Sequence, residues 1–149
     1  MPFMGLECVA GAEASGSLMH HIVFRILLSD WAVAAGELEL AGRTVDELRH
    51  WIARMHAHRY EPSLRMAEAH LAWERGAVDE AERLVAHALH LAKDRGGLLF
   101  LRWLDTAMPK LLPLAIERGI EPAIVRRLVD DYGVAPPPIR SNTGRGRSR

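Results

Sequence analysis

The sequence predicts an all-α protein of antiparallel helical hairpins, stacked as a short right-handed solenoid. Two observations carry this prediction. Apolar residues recur at three- and four-residue steps, and small residues fall where neighbouring helices would meet. Residues 18–135 are predicted to form this helical repeat domain. Residues 1–17 are predicted to be a flexible N-terminus, and residues 136–149 a disordered Pro-rich and basic tail.

The clearest hairpin is predicted between residues 61 and 96. In its second helix one face is apolar or small, and the charged residues lie on the other face. The apolar face comprises Ala81, Leu84, Val85, Ala88, Leu91 and Ala92. Gly76 is predicted to close the first helix in a left-handed conformation, and Asp79 with Glu82 to cap the second. We therefore expect a tight connection with the two helices side by side.

Before this hairpin, the sequence predicts a helix over residues 18–35 and a second helix that begins at Thr44. A loop is predicted between them, and Glu47 is expected to complete a capping box with Thr44. Displacing the sequence by 33 residues aligns the segment that begins at Val45 with the segment that begins at Val78. This alignment predicts a degenerate first repeat before the clear one.

After the hairpin, a third apolar helix is predicted over residues 98–108. Pro109 and Pro113 lack an amide donor and crowd the preceding turn, so we expect a kink or break at these prolines. Gly119 is predicted to end the helical segment that follows. Pro122 occupies a favourable first-turn position and predicts the start of a short last helix.

Composition limits the classes of function. Lysine plus arginine and aspartate plus glutamate balance at 19 each, so no overall field favours nucleic acid or an anionic membrane. The single cysteine, Cys8, excludes an internal disulfide and a cysteine-based zinc site, and it agrees with a cytoplasmic location. The N-terminal residues do not have the pattern of a secretory signal, and the longest apolar stretch is too short for a bilayer. No membrane partner is therefore expected.

The motifs predict that the protein is not an enzyme and carries no cofactor. The sequence has no glycine-rich phosphate loop, nucleophile elbow or paired-carboxylate signature. Its eight histidines include the pairs His56 with His58 and His87 with His90, but zinc needs a third and usually a fourth ligand. These histidines are interpreted as surface or interhelical residues, and no metal site is predicted.

The clear hairpin resembles a tetratricopeptide repeat, a unit of about 34 residues made of two helices. Gly76, Ala81 and Ala88 occupy the glycine and two alanine positions of that family. Ala69 stands where the first helix usually has a glycine, and Lys93 where a proline usually closes the unit. Small residues at these positions let two helix axes come close enough for their ridges to interlock.

The resemblance to this family implies a concave groove that holds a partner. The first helix of the clear unit would direct Met66, His70 and Trp73 towards that groove. These three residues are the candidate contacts for a protein segment or a small effector. From the sequence alone, core packing is the default interpretation of Trp73, and the groove role follows only from the resemblance.

The later part of the chain looks like the end of the tetratricopeptide-like region of large bacterial STAND-class ATP-dependent regulators. It is similar in particular to LuxR-type transcription activators of the maltose-regulator kind. The residues that carry this resemblance are Ala115, Gly119, Ile120, Glu121, Val125, Arg126, Arg127 and Leu128. In that family the repeat region binds an inducer or a regulatory protein and restrains an ATPase core. The resemblance implies a sensor or scaffold piece of a bacterial transcriptional or signalling regulator, whose remaining domains are further candidate partners.

A helix-turn-helix DNA-binding regulator is the alternative prediction. An alanine, a glycine and an apolar residue recur over residues 114–128 with the spacing of that motif. Arg126 and Arg127 would then contact DNA phosphates. Asp130 and Asp131 count against this interpretation because their charges would repel the DNA backbone.

Overall fold

The computed structural model describes residues 19–132, and this part of the chain contains helices and turns but no strand. The six α-helices are α1 (Phe24–Ala34), α2 (Leu38–Arg54), α3 (Glu61–Glu74), α4 (Val78–Arg95), α5 (Ala107–Arg118) and α6 (Pro122–Tyr132). A π-helical turn, Met19–Val23, precedes α1, and short 3-10 helices cover His58–Tyr60 and Leu98–Trp103. The predicted all-α class is confirmed.

The predictions for the two chain ends, residues 1–17 and 136–149, lie outside the described residues. The predicted repeat domain, residues 18–135, extends slightly past the described range at both ends. Between residues 19 and 132, none of the helices combines the length and the apolar character that crossing a bilayer requires.

Helix α3 lies at the centre of the structure. It packs most extensively against α4 and also contacts α1, α2, α5 and the 3-10 helix Leu98–Trp103. An ion pair between Arg95 and Glu61 places the end of α4 against the start of α3. The main core gathers around α3 and draws buried side chains from all six helices. The face of α4 predicted to be apolar is buried at Ala81, Leu84, Val85, Ala88 and Ala92, whereas Leu91 is half-buried.

The same turn closes α1 and α3. After α1, the amides of Gly36 and Glu37 donate to carbonyls of the last helical turn at 3.0 and 2.8 Å. After α3, the amides of Gly76 and Ala77 make the same two bonds at 3.0 and 2.9 Å. Gly36 and Gly76 have φ values of 80° and 83°, the left-handed conformation that this helix ending requires. The prediction that Gly76 ends its helix in this way is confirmed.

These turns set a repeat offset of 40 residues, since Gly36 and Gly76 are equivalent. At this offset Ala41 pairs with Ala81, and both are fully buried. Val45 likewise pairs with the buried Val85. The predicted offset of 33 residues is wrong, because it pairs Val45, which is 3% exposed, with Val78, which is 42% exposed.

The turn between α5 and α6 is a modified copy of these two turns. The amides of Gly119 and Ile120 close α5 through bonds of 3.2 and 2.9 Å, and Gly119 has a φ of 66°. Glu121, with a φ of 41°, then adds one residue to the connection before Pro122 begins α6. The predicted roles of Gly119 and Pro122 are therefore confirmed. We call α1 with α2, α3 with α4, and α5 with α6 the first, second and third units.

The predicted helix starts in the first two units need correction. Helix α2 begins at Leu38, so Thr44 lies inside it and donates its hydroxyl to the carbonyl of Leu40 at 2.8 Å. The predicted capping box at Thr44 therefore does not form. Ala77 occupies the position before α4, and no side chain caps that helix.

The prolines of the third unit do not interrupt α5. The apolar helix predicted before them is a 3-10 helix, Leu98–Trp103, and α5 begins at Ala107. Pro109 lies in the first turn of α5, where its missing amide has no acceptor in the helix. Pro113 lies inside the helix, which continues to Arg118. The predicted break at these prolines is wrong.

A buried carboxylate on α1 holds the start of α5. Asp30 is 5% exposed and accepts hydrogen bonds from the amides of Thr106 and Ala107, at 2.9 and 3.0 Å. The first amides of a helix have no acceptor within it. Burial raises the pKa of the Asp30 carboxyl, and the bonds from Thr106 and Ala107 oppose that rise. Asp30 thus supplies, from a distant point in the chain, the cap that α5 lacks locally.

We expect Asp30→Ala to lower the free energy of unfolding by about 2–4 kcal/mol, because two amides near the protein interior lose their acceptor. Asp30→Asn keeps one carbonyl oxygen and should cost less. Urea denaturation followed by circular dichroism measures both changes. Asp105→Ala, at an exposed neighbouring carboxylate, is the control. A loss for Asp30→Ala no larger than for this control would contradict the capping role.

His56 has an unfavourable backbone conformation. It follows α2 with a φ of 52°, a left-handed conformation that non-glycine residues disfavour. We expect His56→Gly to raise the free energy of unfolding by about 0.5–1 kcal/mol. His58→Gly, in the adjacent 3-10 helix, should instead lower it. Thermal and urea denaturation of the two variants provide the measurement, and a loss of stability in both would refute strain at His56.

Candidate functional site

The structure places two of the three predicted groove residues in the core. Met66 and His70 are both 0% exposed, and Trp73 is half-buried against the main core. Helix α5 and the 3-10 helix Leu98–Trp103 pack against α3 and cover this face. The expectation that Met66 and His70 line an open groove is thereby corrected, because the third unit occupies the surface that the family resemblance assigned to a partner.

His70 is a buried histidine beside the Asp30 carboxylate. Its Nδ1 lies 3.4 Å from Asp30 Oδ1, longer than an ordinary N–H···O bond, and neither ring nitrogen has a hydrogen-bond partner. Burial lowers the pKa of His70 to about 4, and the positive charge of Lys110 contributes while Glu74 opposes it. Lys110 and Glu74 form an ion pair of 2.7 Å beside it. His70 is therefore a neutral core residue near pH 7.

Arg126 and Arg127, the residues of the DNA-binding alternative, are exposed on α6. Arg127 Nε lies 3.7 Å from the Asp131 carboxylate. Arg126 borders a cleft of about 370 Å³ between α5 and α6, and Asp130 lines the same cleft. The positive charges of α6 are thus accompanied by negative charges close by.

The histidine pairs do not assemble into a ligand cluster. The rings of His56 and His58 are 6.2 Å apart, and His90 instead lies 3.3 Å from the Asp94 carboxylate. No group of three or more metal-ligating side chains occurs between residues 19 and 132.

An open crevice of about 650 Å³ lies between α2 and α4, over α3. We call it the α2–α4 crevice. Its apolar lining residues include Val45, Leu71, Ala72, Ala77 and Leu84. Its charged lining residues are Asp46, Arg49, Arg65, Glu68, Arg75, Glu80 and Arg83. The crevice therefore joins the first unit to the second. Its apolar residues come from all three helices and the connection at Ala77, and we call them its apolar floor; its charged residues are its walls.

The three carboxylates of the crevice are already bound to arginines. Arg49 contacts Asp46 at 2.8 Å and Glu68 at 2.6 Å, which links α2 to α3, and these two hydrogen bonds raise the pKa of Arg49. Arg65 contacts the other oxygen of Glu68 at 2.7 Å. On α4, Glu80 pairs with Arg83 at 2.6 Å. These ion pairs fix the walls of the crevice.

Two arginines of the crevice keep donors free. Arg75 has no ion pair or hydrogen bond from its side chain within the described part of the chain, and Arg65 Nε is buried without an acceptor. The Arg75 guanidinium lies against Gly42 of α2, where an added Cβ would stand 3.4 Å from Arg75 Nη2. Partial burial lowers the pKa of His87 on the opposite wall, and the positive charges of Arg65 and Arg83 add to this effect. The crevice therefore offers uncompensated positive charge above an apolar floor.

Sequence reasoning missed this crevice. Its charged residues lie on the polar faces of their helices, and such a pattern usually marks a solvated surface. The available signal was Gly42, since a glycine inside a helical pattern lowers helix stability and often marks a close approach.

Comparisons of the chain with protein-family models, with curated proteins and with solved structures found no match. The family resemblances stated from the sequence therefore stay predictions. The geometry of the α2–α4 crevice provides the basis for a functional proposal.

Because His70 is buried, the stability of the folded protein should depend on pH. The unfolded chain binds a proton at His70 below about pH 6.5, whereas the folded protein resists this proton until about pH 4. Stability contributed by the neutral ring is therefore lost as the pH falls between these values, by about 1–3 kcal/mol. We expect the wild type to lose stability more steeply across this window than His70→Gln.

Urea denaturation at a series of pH values and constant ionic strength checks this difference. Asp30 has a raised pKa and acts in the opposite direction, and it lies 3.4 Å from His70, so the comparison is repeated in an Asp30→Asn background to remove its titration from the difference. His50→Gln, at an exposed histidine, is the control for the substitution itself. Parallel curves for the wild type and His70→Gln would show that His70 does not resist protonation.

Proposed function

We propose that this protein is a non-catalytic binding module whose α2–α4 crevice holds a protein segment. The crevice itself is the observation that carries this proposal. Its apolar floor can accept side chains of an extended segment, while the charged walls orient the polar groups of that segment. A surface of this kind suits recognition by complementarity rather than chemistry at one reacting atom.

The proposed architecture is a tetratricopeptide-like right-handed solenoid of antiparallel hairpins. Three features support it: the shared turns at Gly36, Gly76 and Gly119, the buried alanines at Ala41 and Ala81, and the contact of the end of α4 with the start of α3. Stacked units of this type present extended surfaces between neighbours, which such proteins use for binding.

The titratable groups of the chain also favour binding over catalysis. His70 and Asp30, which lie together, are buried beneath α5 and out of reach of a substrate. The crevice carboxylates Asp46, Glu68 and Glu80 each have an arginine partner. A general acid or base needs access to the proton that it transfers.

We further propose a role as the sensor or scaffold piece of a cytoplasmic bacterial transcriptional or signalling regulator. The crevice lies between two successive units, so an occupant contacts α2 of the first unit and α4 of the second. Its binding free energy would favour one spacing of these units over another and shift how the stack packs on a neighbouring domain. A small effector in the same crevice is compatible with this role.

The helix-turn-helix alternative draws support from one observation, the short connection between α5 and α6 with Arg126 and Arg127 exposed on the second helix. Asp130 beside Arg126 and the Arg127–Asp131 pair weaken the positive field that phosphate binding needs. The crevice is therefore the preferred site.

A selection of displayed random peptides tests the proposed function. The wild type, Ala77→Phe and Ala123→Phe are each panned against the same library. Ala77 is exposed and lines the crevice, so phenylalanine there should obstruct it, whereas Ala123 is exposed on α6 away from the crevice. We expect the wild type and Ala123→Phe to enrich one shared sequence motif that Ala77→Phe fails to enrich.

Circular dichroism and thermal denaturation establish that all three proteins are folded. Enrichment of the same motif by Ala77→Phe would place binding outside the crevice. If no motif emerges from the wild type, the crevice does not bind peptide segments and the proposed function fails.

A further inference from the structure

Comparison of the units shows one arginine that has a glutamate partner and an equivalent arginine that has none in the described part of the chain. In the third unit, Arg118 directly precedes Gly119, and its Nε lies 3.5 Å from the Glu82 carboxylate on α4. In the second unit, Arg75 directly precedes Gly76 and occupies the equivalent position at the end of α3. Each arginine therefore faces the second helix of the preceding unit.

The residue opposite Arg75 is equivalent to Glu82. The amides of Ala41 and Ala81 make the same bond to the residue four positions earlier, at 2.9 Å in both cases. The next residues are Gly42 on α2 and Glu82 on α4. The interface between the second and third units thus contains an arginine–glutamate pair, and the interface between the first and second units has Gly42 in place of the glutamate.

Backbone conformation does not require a glycine at position 42. Its φ is not among the positive values of the described residues, and it lies in the interior of α2. A glycine there costs about 0.5–1 kcal/mol of helix stability relative to alanine, and glutamate is a good helix former. Gly42 lets the Arg75 guanidinium lie against α2, since an added Cβ would stand 3.4 Å from Arg75 Nη2, and both residues line the α2–α4 crevice.

We propose that Arg75 binds the carboxylate of an aspartate or glutamate in the partner segment, which takes the place that Glu82 fills in the next interface. This inference rests on the proposed function of the crevice. A guanidinium offers two parallel N–H donors that match a carboxylate, and Arg75 has both available. Asp46 lies one helical turn from Gly42, but its charge is bound to Arg49 and does not occupy Arg75.

The apolar floor next to Arg75 also determines which partner segment binds. An added Cβ at Gly42 would also stand 4.0 Å from Leu71 Cδ2, so the carboxylate position adjoins an apolar side chain. The favoured occupant is therefore an extended segment with an acidic residue next to apolar residues. A purely acidic segment would leave the floor uncovered.

Panning the same peptide library against Arg75→Gln and Arg75→Glu tests this inference. We expect the wild-type motif to contain one position restricted to aspartate or glutamate. Arg75→Gln should lose that restriction while keeping the apolar positions, and Arg75→Glu should replace it with lysine or arginine. Arg118→Gln, at the equivalent exposed arginine of the third unit and outside the crevice, is the matched control and should retain the acidic position.

Binding of one selected peptide, labelled with a fluorophore and followed by anisotropy, gives the magnitude. Arg75→Gln should weaken binding about tenfold, the effect of losing a charged hydrogen-bonded pair. The peptide with its acidic residue changed to the amide should bind the wild type about as weakly. The two changes together should be no worse than either alone, because they remove the same contact.

Substitutions at Gly42 test the role of Arg75 without changing Arg75 itself. Gly42→Glu restores in α2 the acid that Glu82 provides in α4, so it should neutralise Arg75 and abolish the acidic preference. Gly42→Gln fills the same space without the charge and should leave Arg75 free to select an acid, although with weaker overall binding. Gly42→Glu should be more stable than Gly42→Gln. If this difference disappears when Arg75 is also changed to glutamine, the introduced carboxylate pairs with Arg75.

The outcomes separate this inference from the proposed function. A wild-type motif that is blocked by Ala77→Phe but has no acidic position, or an acidic position that survives Arg75→Gln, overturns the role of Arg75 and leaves the crevice as a binding site. A wild type that enriches no motif overturns both.

Discussion

The arrangement of the described helices depends on one buried contact, the hydrogen bonds from the start of α5 to the Asp30 carboxylate. A charged oxygen in the protein interior is tolerated only when donors replace the water that it loses, and two unsatisfied helix amides supply them. This contact fastens the third unit across α1 and α3. It also brings α5 onto α3, where α5 and the 3-10 helix Leu98–Trp103 pack and where Met66 and His70 are buried. The opposite side of α3, between α2 and α4, stays open.

The sequence predicted those parts of the fold that depend on local pattern. The apolar face of α4 and the glycines that end α3 and α5 follow from periodicity and from the need for positive φ at a helix end. The repeat offset failed because a short string of similar residues near Val45 and Val78 outweighed the turn geometry in the alignment. Burial separates these two valines, and only the hydrogen bonds at Gly36 and Gly76 identify the true register. The local sequence pattern also does not reveal that Asp30, on α1, caps the start of α5.

The candidate site was harder to predict for the same reason. The family resemblance placed the candidate groove on α3 and took for granted that one face of α3 is open, but a contact spanning 76 residues brings α5 onto that helix. The crevice walls consist of charged residues whose spacing is that of any solvated helix surface. What distinguishes Arg75 from Arg118 is the identity of the residue opposite, Gly42 or Glu82, and that comparison needs the register of the units.

The energetics of exposed ion pairs explain why the absence of a glutamate from one interface costs little stability. A pair such as Arg118 with Glu82, half-exposed at 3.5 Å, contributes roughly 0–1 kcal/mol, so its loss between the first and second units leaves the stack folded. Arg75, the equivalent arginine between the first and second units, has no such partner among the described residues and can offer its donors to a ligand. The Arg75 side chain is exposed but lies against α2, so a carboxylate binds a positioned donor instead of ordering a free one. Two arginines at equivalent helix ends thus differ in role. Arg118 makes a weak structural contact, and Arg75 provides a selective binding group.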